Sequence, residues 1–397
     1  MTAPLYPAQE NEQHAPIRVA LILSGIGRVA RGAEAAFLEL SRAWLKSPHM
    51  SVTFYGSGSE GLPDGADRHI IPCRPRERFE KWPSLPAFRA EGYYEECSFT
   101  YNLMRSKTYR PENHDIAVHC TYPWVNWYLR RANGKTGQTK LVYVTQNGDW
   151  PCHARQSEYK YFRCDGLVCT NLEYYERNRN HYQAALIPNG VDPELFYPPD
   201  LSLPREPIPE VDSEGLPRPG QGQPVVLIAS ALISSKRVAA GIEALGKIPD
   251  VFVVVAGDGP DRENVANLAN SLLPGRHRLL GSIPRVRMPA LFRRADVLLH
   301  MSQVEPSSLV YLEAASSGLG LVVHDCATTR WTLGDAVLYA NTSDLEQTAA
   351  AVREAMAPGR RATLGAAARQ RVLDGWTWSE LANKYERFFR ELMAKKR

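Results

Sequence analysis

Residues 297–313 read VLLHMSQVEPSSLVYLE, and this stretch decides the fold. Residues 297–300 form a short apolar run of the kind that is buried on both faces of a parallel sheet. A polar loop carrying Glu305 follows. Pro306 near a first helical position then opens a helix that carries Glu313. Strand, loop and helix in this order make one β-α unit, and the unit recurs outward in both directions. In the first half the strand candidates are 18–23, 52–55, 116–119, 141–145 and 166–169; in the second they are 225–229, 251–256, 278–280, 297–300 and 319–324. Between them lie helical patterns, such as Ala33, Ala36, Phe37, Leu40 and Trp44 on one face. Alternation of this kind predicts doubly wound α/β architecture with parallel sheets and right-handed crossovers.

The rhythm breaks once. Residues 197–224 hold eight prolines and almost no apolar periodicity, which reads as a linker between two Rossmann-like domains. Ligands in such sheets bind outside the carboxyl ends of the strands, so the site belongs in the cleft between the domains.

Composition narrows the function. The chain has 397 residues, 44% of them hydrophobic and 23% charged, and a net charge of +4. Both halves are nearly neutral, which gives no reason to expect a nucleic-acid partner. The N-terminus lacks an apolar signal region, and the longest apolar runs fall well short of the ~18 residues of a spanning helix. Seven scattered cysteines without a Cys-x-x-Cys pair fit reduced thiols better than a disulfide framework or a zinc site. A soluble, cytoplasmic protein is expected.

Several motifs bear on chemistry. Gly25-Ile26-Gly27-Arg28-Val29-Ala30 follows the first strand as a G-x-G-x-x-A match, which lets backbone approach a diphosphate at a helix N-terminus. The second strand, Val52-Thr53-Phe54-Tyr55-Gly56, offers no carboxylate for a dinucleotide ribose, so NAD is not expected. Gly241 to Lys247 nearly spells a phosphate loop, but Ile248 stands where a Ser or Thr must hold Mg²⁺. No Asp-x-Asp and no His pair at ligand spacing occurs, so no metal is expected. The richest set lies at consecutive strand ends of the second half: Lys236 with Arg237, then Gly257-Asp258-Gly259-Pro260, then Glu305 to Glu313. The N–H groups of Ser308, Leu309 and Val310 should be the unpaired ones between the two glutamates. Lys236 lies across the cleft as a point charge for phosphate.

These residues resemble the retaining, family-four glycosyltransferases of the GT-B fold, along almost the whole chain. The carrying segments are 25–36, the "LIPNGVD" of 186–192, 234–237, 256–260, 288–301, 305–318 and the closing "GWTWSELANKYE". The resemblance implies an acceptor-side domain over 1–195, a linker over 196–224 and a donor-binding domain over 225–377, with 378–397 crossing back onto the first. It implies that Glu313 binds the donor ribose and Glu305 the donor sugar. Ser308, Leu309, Val310 and Gly257 would cradle the diphosphate, and Lys236 would offset its charge. Gly25, Gly27 and Gly32 would form the loop closing over the donor. No cofactor or metal is implied beyond a nucleoside-diphosphate sugar as donor substrate.

The chain departs from that pattern in places. Ala231 stands where the family often has Arg, which makes Arg237 the candidate substitute. Ser307-Ser308 replaces the usual Phe-Gly. For the acceptor-side His, His119 is the first candidate and Asp149 the second. Trp124, Trp127 and Tyr128 could stack on an acceptor sugar or pack in the core. The basic and aromatic segment 73–111 leaves peripheral contact with a membrane surface open, against a solvated loop over the acceptor cleft. The expected reaction is transfer of a sugar with retention to a hydroxyl of a glycan, glycolipid or similar precursor. A catalytically inactive binding module, a nucleotide-sugar epimerase and a phosphorylase on the same fold stand as alternatives.

Overall fold

A computed structural model of the chain describes residues 15–29, 31–154, 157–200 and 223–395. The N-terminal 14 residues, Ala30 and most of the Pro/Gly-rich stretch lie outside the described residues. Two parallel sheets carry the rest. The first has seven strands in the order β3-β2-β1-β4-β5-β6-β7, with β1 Ile17–Ile22, β2 Met50–Gly56, β3 Asp67–Ile70, β4 Ile116–His119, β5 Lys140–Val144, β6 Gly166–Cys169 and β7 Ala184–Leu186. The second has six in the order β10-β9-β8-β11-β12-β13, with β8 Val225–Ala229, β9 Phe252–Ala256, β10 His277–Gly281, β11 Val297–His300, β12 Gly320–His324 and β13 Leu338–Ala340.

Every strand expected from the sequence is present, within two residues at each end. Three others were not anticipated: β3, β7 and β13. They lie at sheet edges, run three or four residues and, Ala340 apart, are half-buried or exposed. An edge strand buries too little to show a period in its sequence. Central strands differ: every residue of β4, β8, β9 and β11 is buried, and these are the runs that read as continuously apolar.

Both sheets wind outward from their middle. Strand order reverses between β1 and β4 in one domain, and between β8 and β11 in the other, which fixes where a crevice opens. The last helix, Trp378–Ala394, leaves the second domain and packs on the first. Its buried residues Trp378, Leu381, Ala382, Tyr385, Phe388, Phe389 and Leu392 recur at helical spacing and join the first domain's core. There the Trp44 ring meets Tyr385 at 5.4 Å and Phe389 at 5.8 Å. Thr377 Oγ1 caps this helix by accepting from the Glu380 N–H.

The expected boundary at residue 195 needs a correction. Val191 and Phe196 pack in the core of the second domain, and Val191 bridges to Thr377, so the first domain gives way about five residues earlier. Both passages of the chain between domains therefore run side by side. The segment 73–111 is also more ordered than a solvated loop: Phe79, Trp82, Phe88 and Tyr94 stack on one another, and Glu91–Ser106 is a helix.

Candidate active site

The two crevices face each other across a cavity of about 840 Å³. Its walls come from the loops after β1, β4 and β5 on one side and after β8, β9, β10 and β11 on the other.

On the second domain, β8 leads to Ser230 and Lys236, β9 to Gly257, and β11 to His300 and Glu305, all lining the cavity. Lys236 Nζ donates to Glu305 Oε2, and the Glu305 side chain is only 13% exposed. His300 Nε2 lies 3.9 Å from the same carboxylate oxygen, while its Nδ1 lies 3.2 Å from the Tyr311 hydroxyl. Burial pulls the His300 imidazole down to about 4, so near neutral pH it stands uncharged beside that ion pair. Gly257 adopts φ +152°, and a Cβ there would lie 1.8 Å from the Ser230 carbonyl oxygen. Only glycine lets these two loops approach so closely. The Ser230 hydroxyl above them is buried and without a hydrogen-bond partner.

The helix expected to begin at Pro306 begins later. It spans Leu309–Ser316 with Ser308 as its N-cap. Residues 306 and 307 are diverted by the other domain: Asn171 Nδ2 donates to the Pro306 carbonyl at 3.0 Å, and Asn189 Nδ2 to the Ser307 carbonyl at 3.0 Å. Asn189 is itself held by Gln146, at 2.6 and 3.1 Å. The Glu305-to-Glu313 span is thus loop and then helix, and the 12 Å of a continuous helical rise does not apply. No side chain caps the first turn, and Ser308, Leu309 and Val310 line the cavity with its positive dipole end.

Glu313 is 1% exposed. Arg285 Nη1 lies 2.5 Å from its Oε1 in an ion pair, while its Oε2 is buried without a hydrogen-bond partner. Burial raises the Glu313 carboxyl above its ordinary range, and the Arg285 guanidinium offsets part of that rise.

On the first domain, Ser24, Arg31, Gly32, Glu34, Tyr93, Glu96, Thr121 and Asn147 face the cavity. Three arginines are absorbed by one acid: Glu95 takes Arg28 at 3.1 Å, Arg31 at 3.2 Å and Arg76 at 3.5 Å. These contacts hold Glu95 below the usual carboxylate range against its burial. Among the described residues no cation pairs with Glu96; it accepts from the Val125 N–H at 3.0 Å, and burial pushes it up to about 7.

Four sequence expectations are corrected here. His119 is 0% exposed and off the cavity, with Nδ1 at 2.9 Å from the Thr121 carbonyl and Nε2 at 3.3 Å from Asn126. It is a core residue of β4, as the strand's burial demands. Asp149 is likewise sealed, bonded to Arg177 and Asn178. Arg237 turns away through a left-handed backbone, φ +54°, and donates to the Thr342 carbonyl. Gly25 and Gly27 serve packing: a Cβ on Gly25 would strike Glu34, and on Gly27 the Gly58 carbonyl. Gly32 alone of the three lines the cavity. Trp124 and Trp127 meet edge to face at 5.3 Å outside it, which fits the packing alternative for these two rings.

Sequence reading missed Arg285, Ser230, His300, Glu34 and Glu96. The loop Ser282–Arg287 follows β10 without a motif, and Glu96 sits mid-helix, so nothing local marks them. Among the described residues no group of three or more His, Cys, Asp or Glu could hold a metal ion. Nor, among them, is any helix long and apolar enough to cross a membrane.

Residues 217–371 match the family described as glycosyl transferases group 1. The chain is 29% identical over 231 residues to a GDP-mannose-dependent alpha-(1-6)-phosphatidylinositol monomannoside mannosyltransferase of Mycolicibacterium smegmatis, an alignment covering 54% of this chain and 59% of that protein. The chain spans between 42% and 59% of the length of the first curated relatives it matches. Among solved structures, sucrose-phosphate synthase of Thermosynechococcus elongatus superposes with a TM-score of 0.70 at 18% identity, over 95% of this chain and 99% of that one. HepE of Anabaena, crystallised with UDP-glucose, superposes at 0.67 with 14% identity, over 95% and 99%. The match to glycosyl transferases group 1 thus falls on the second domain, and the whole chain has the two-domain GT-B fold.

Proposed function

We propose that the chain is a retaining glycosyltransferase that moves a sugar from a nucleoside-diphosphate donor to a hydroxyl acceptor, without a metal ion. The acceptor class is a glycan, a glycolipid or another cell-surface or secondary-metabolite precursor. The observation that carries the reading is Glu313, a buried carboxylate held at one oxygen by Arg285 and unpartnered at the other, which lines the same cavity as Lys236, Glu305 and an uncapped helix N-terminus. A ribose diol is the ligand group that supplies two adjacent donors to such a carboxylate.

From there the chemistry runs along the second-domain wall. The diphosphate lies on the first-turn N–H groups of Leu309 and Val310, beside the Ser230 hydroxyl and Lys236. As the bond from the anomeric carbon to the diphosphate oxygen breaks, negative charge grows on that oxygen. Lys236 and the helix dipole are already in place to meet it, so little reorganisation is required. Glu305 orients Lys236 and accepts from sugar hydroxyls. The acceptor oxygen bonds to the anomeric carbon on the face the diphosphate leaves, and a diphosphate oxygen takes the acceptor's proton. The acceptor enters along the first-domain wall by Tyr93, Glu96, Thr121 and Asn147. The Asn171 and Asn189 bonds to residues 306 and 307 couple this wall to the donor loop, which keeps water from a reactive donor. A cytoplasmic setting with peripheral contact to a membrane surface accommodates a lipid-borne acceptor.

Thermal unfolding against UDP, GDP, dTDP, ADP and NAD, each with and without chelator, tests this. A ligand at a hundred times its Kd adds ~2.7 kcal/mol, enough for a clear rise in midpoint. One nucleoside diphosphate should raise the midpoint, and chelator should not abolish the rise. No shift with any nucleotide removes the reading, and a shift lost to chelator removes its metal-free part.

A further inference from the structure

Arg285 stands at a crossing of three parts of the molecule. Its Nη1 meets Glu313 at 2.5 Å in its own domain. Its Nε lies 3.9 Å from Glu39 Oε1, on the Gly32–Leu45 helix of the first domain. Its guanidinium also covers the Phe196 ring at 5.4 Å, just past the crossover between domains. Glu39 and Glu313 are both buried, and Glu39 is steadied by Arg42 at 2.7 Å. A planar guanidinium is the one side chain that can serve two carboxylates and a ring face together.

The geometry has a chemical consequence. A carboxyl buried as deeply as Glu313 is neutral unless a cation faces it. A neutral carboxyl carries a proton on one oxygen and accepts more weakly on the other. Arg285 supplies the facing cation at Oε1, while Oε2 has no hydrogen-bond partner and stays open to a ligand.

We propose that Arg285 is the positioning residue of the nucleotide site: it keeps Glu313 ionised and aimed at the ribose hydroxyls, and Glu39 anchors it from the opposite domain. Ribose recognition then depends on a contact between domains and not on the second domain alone. This rests on the nucleotide reading above.

The test is the affinity of the full chain for UDP and GDP, each against its 2′-deoxy and 3′-deoxy forms, by titration calorimetry. In the parent, loss of a hydrogen bond to a charged acceptor should weaken binding about tenfold or more. Arg285→Met should shrink that ribose preference to a few-fold, because the acceptor becomes neutral, and Arg285→Lys should restore most of it. Glu39→Gln should fall between parent and Arg285→Met. An unfolding curve for each variant without nucleotide separates a folding defect from a binding one. An undiminished ribose preference in folded Arg285→Met overturns the proposal while leaving the nucleotide reading in place. An Arg285→Lys variant that rescues nothing, or Glu39→Gln indistinguishable from the parent, overturns the ionic and the cross-domain parts respectively. A parent that binds a nucleotide without any ribose preference overturns the proposal, and one that binds neither these two nor any other nucleoside diphosphate overturns the reading beneath it as well.

Discussion

Lys236 and Glu305 form an ion pair across the cleft floor, the first from the loop after β8 and the second from the loop after β11. β8 and β11 are neighbours at the sheet's switch point, so strand order brings together two residues 69 positions apart in the chain.

Lys236→Met should therefore lower turnover by about 10²–10³-fold, the usual loss when one preorganised donor to a developing anion is removed. Free nucleotide should bind within several-fold of the parent, because Glu313 and the helix N-terminus are untouched. Glu305→Gln keeps the shape but frees Lys236 from its partner; turnover should fall while nucleotide affinity changes little. Steady-state rates alongside calorimetric affinities check both, and parental rates in both variants would refute the assignment.

His119→Gln should leave turnover within about twofold of the parent at pH 7.5, since the residue lies off the cavity. Its effect belongs to stability. Burial pulls His119 down to about 4, so the folded state keeps it neutral while the unfolded chain takes up a proton near 6.5. The unfolded state then binds more protons, and stability is lost as pH falls from about 6.5 to 4. The variant's loss of stability at pH 7.5 should shrink by about 1 kcal/mol at pH 5.5, as read from denaturant midpoints. A collapse in turnover with the fold intact would return His119 to the acceptor site.

Glu96 titrates with the opposite sign. Burial raises it to about 7, so the folded state holds a proton that the unfolded chain releases near 4.3. Stability is then lost as pH rises from about 4.5 through 7. Glu96→Gln keeps an acceptor for the Val125 N–H and removes the titration. Its stability relative to the parent should improve by roughly 1–3 kcal/mol between pH 5 and pH 8, and a flat difference across that range would contradict the burial argument.

What the sequence discloses and what it hides separate along physical lines. β8 and β11 are legible because every residue is buried and the apolar run is unbroken. Lys236 and Glu305 are legible because each sits in the loop after such a strand, and Glu313 because it lies on the helix that the second of those loops opens. Arg285 and Glu96 are not, because what makes them matter is the partner brought from elsewhere: Glu39 for one, the Val125 N–H for the other. His119 misleads for the same reason. Ending a strand puts a residue near a crevice, but only the packing of Asn126 and Tyr143 decides that this one points inward. The early helix start at Pro306 fails because Asn171 and Asn189, over a hundred residues upstream, claim its carbonyl and its neighbour.

The returning helix supplies the last prediction. Trp44, from the Gly32–Leu45 helix, is wholly buried against Tyr385 and Phe389 of Trp378–Ala394. Trp44→Ala leaves a cavity on both, and such a truncation costs about 3–5 kcal/mol. The loss should not stay local. Residues 377 and 191 pair backbone to backbone where the chain recrosses, so the helix that anchors the first domain also fixes the crossover beside Phe196. Phe196 in turn lies beneath Arg285. Trp44→Ala should therefore lower the unfolding midpoint and also weaken nucleotide affinity several-fold at temperatures where the protein remains folded. Conservative Trp44→Phe should recover most of both. A midpoint that falls with nucleotide affinity unchanged would show that the helix braces the first domain alone and transmits nothing to the cleft.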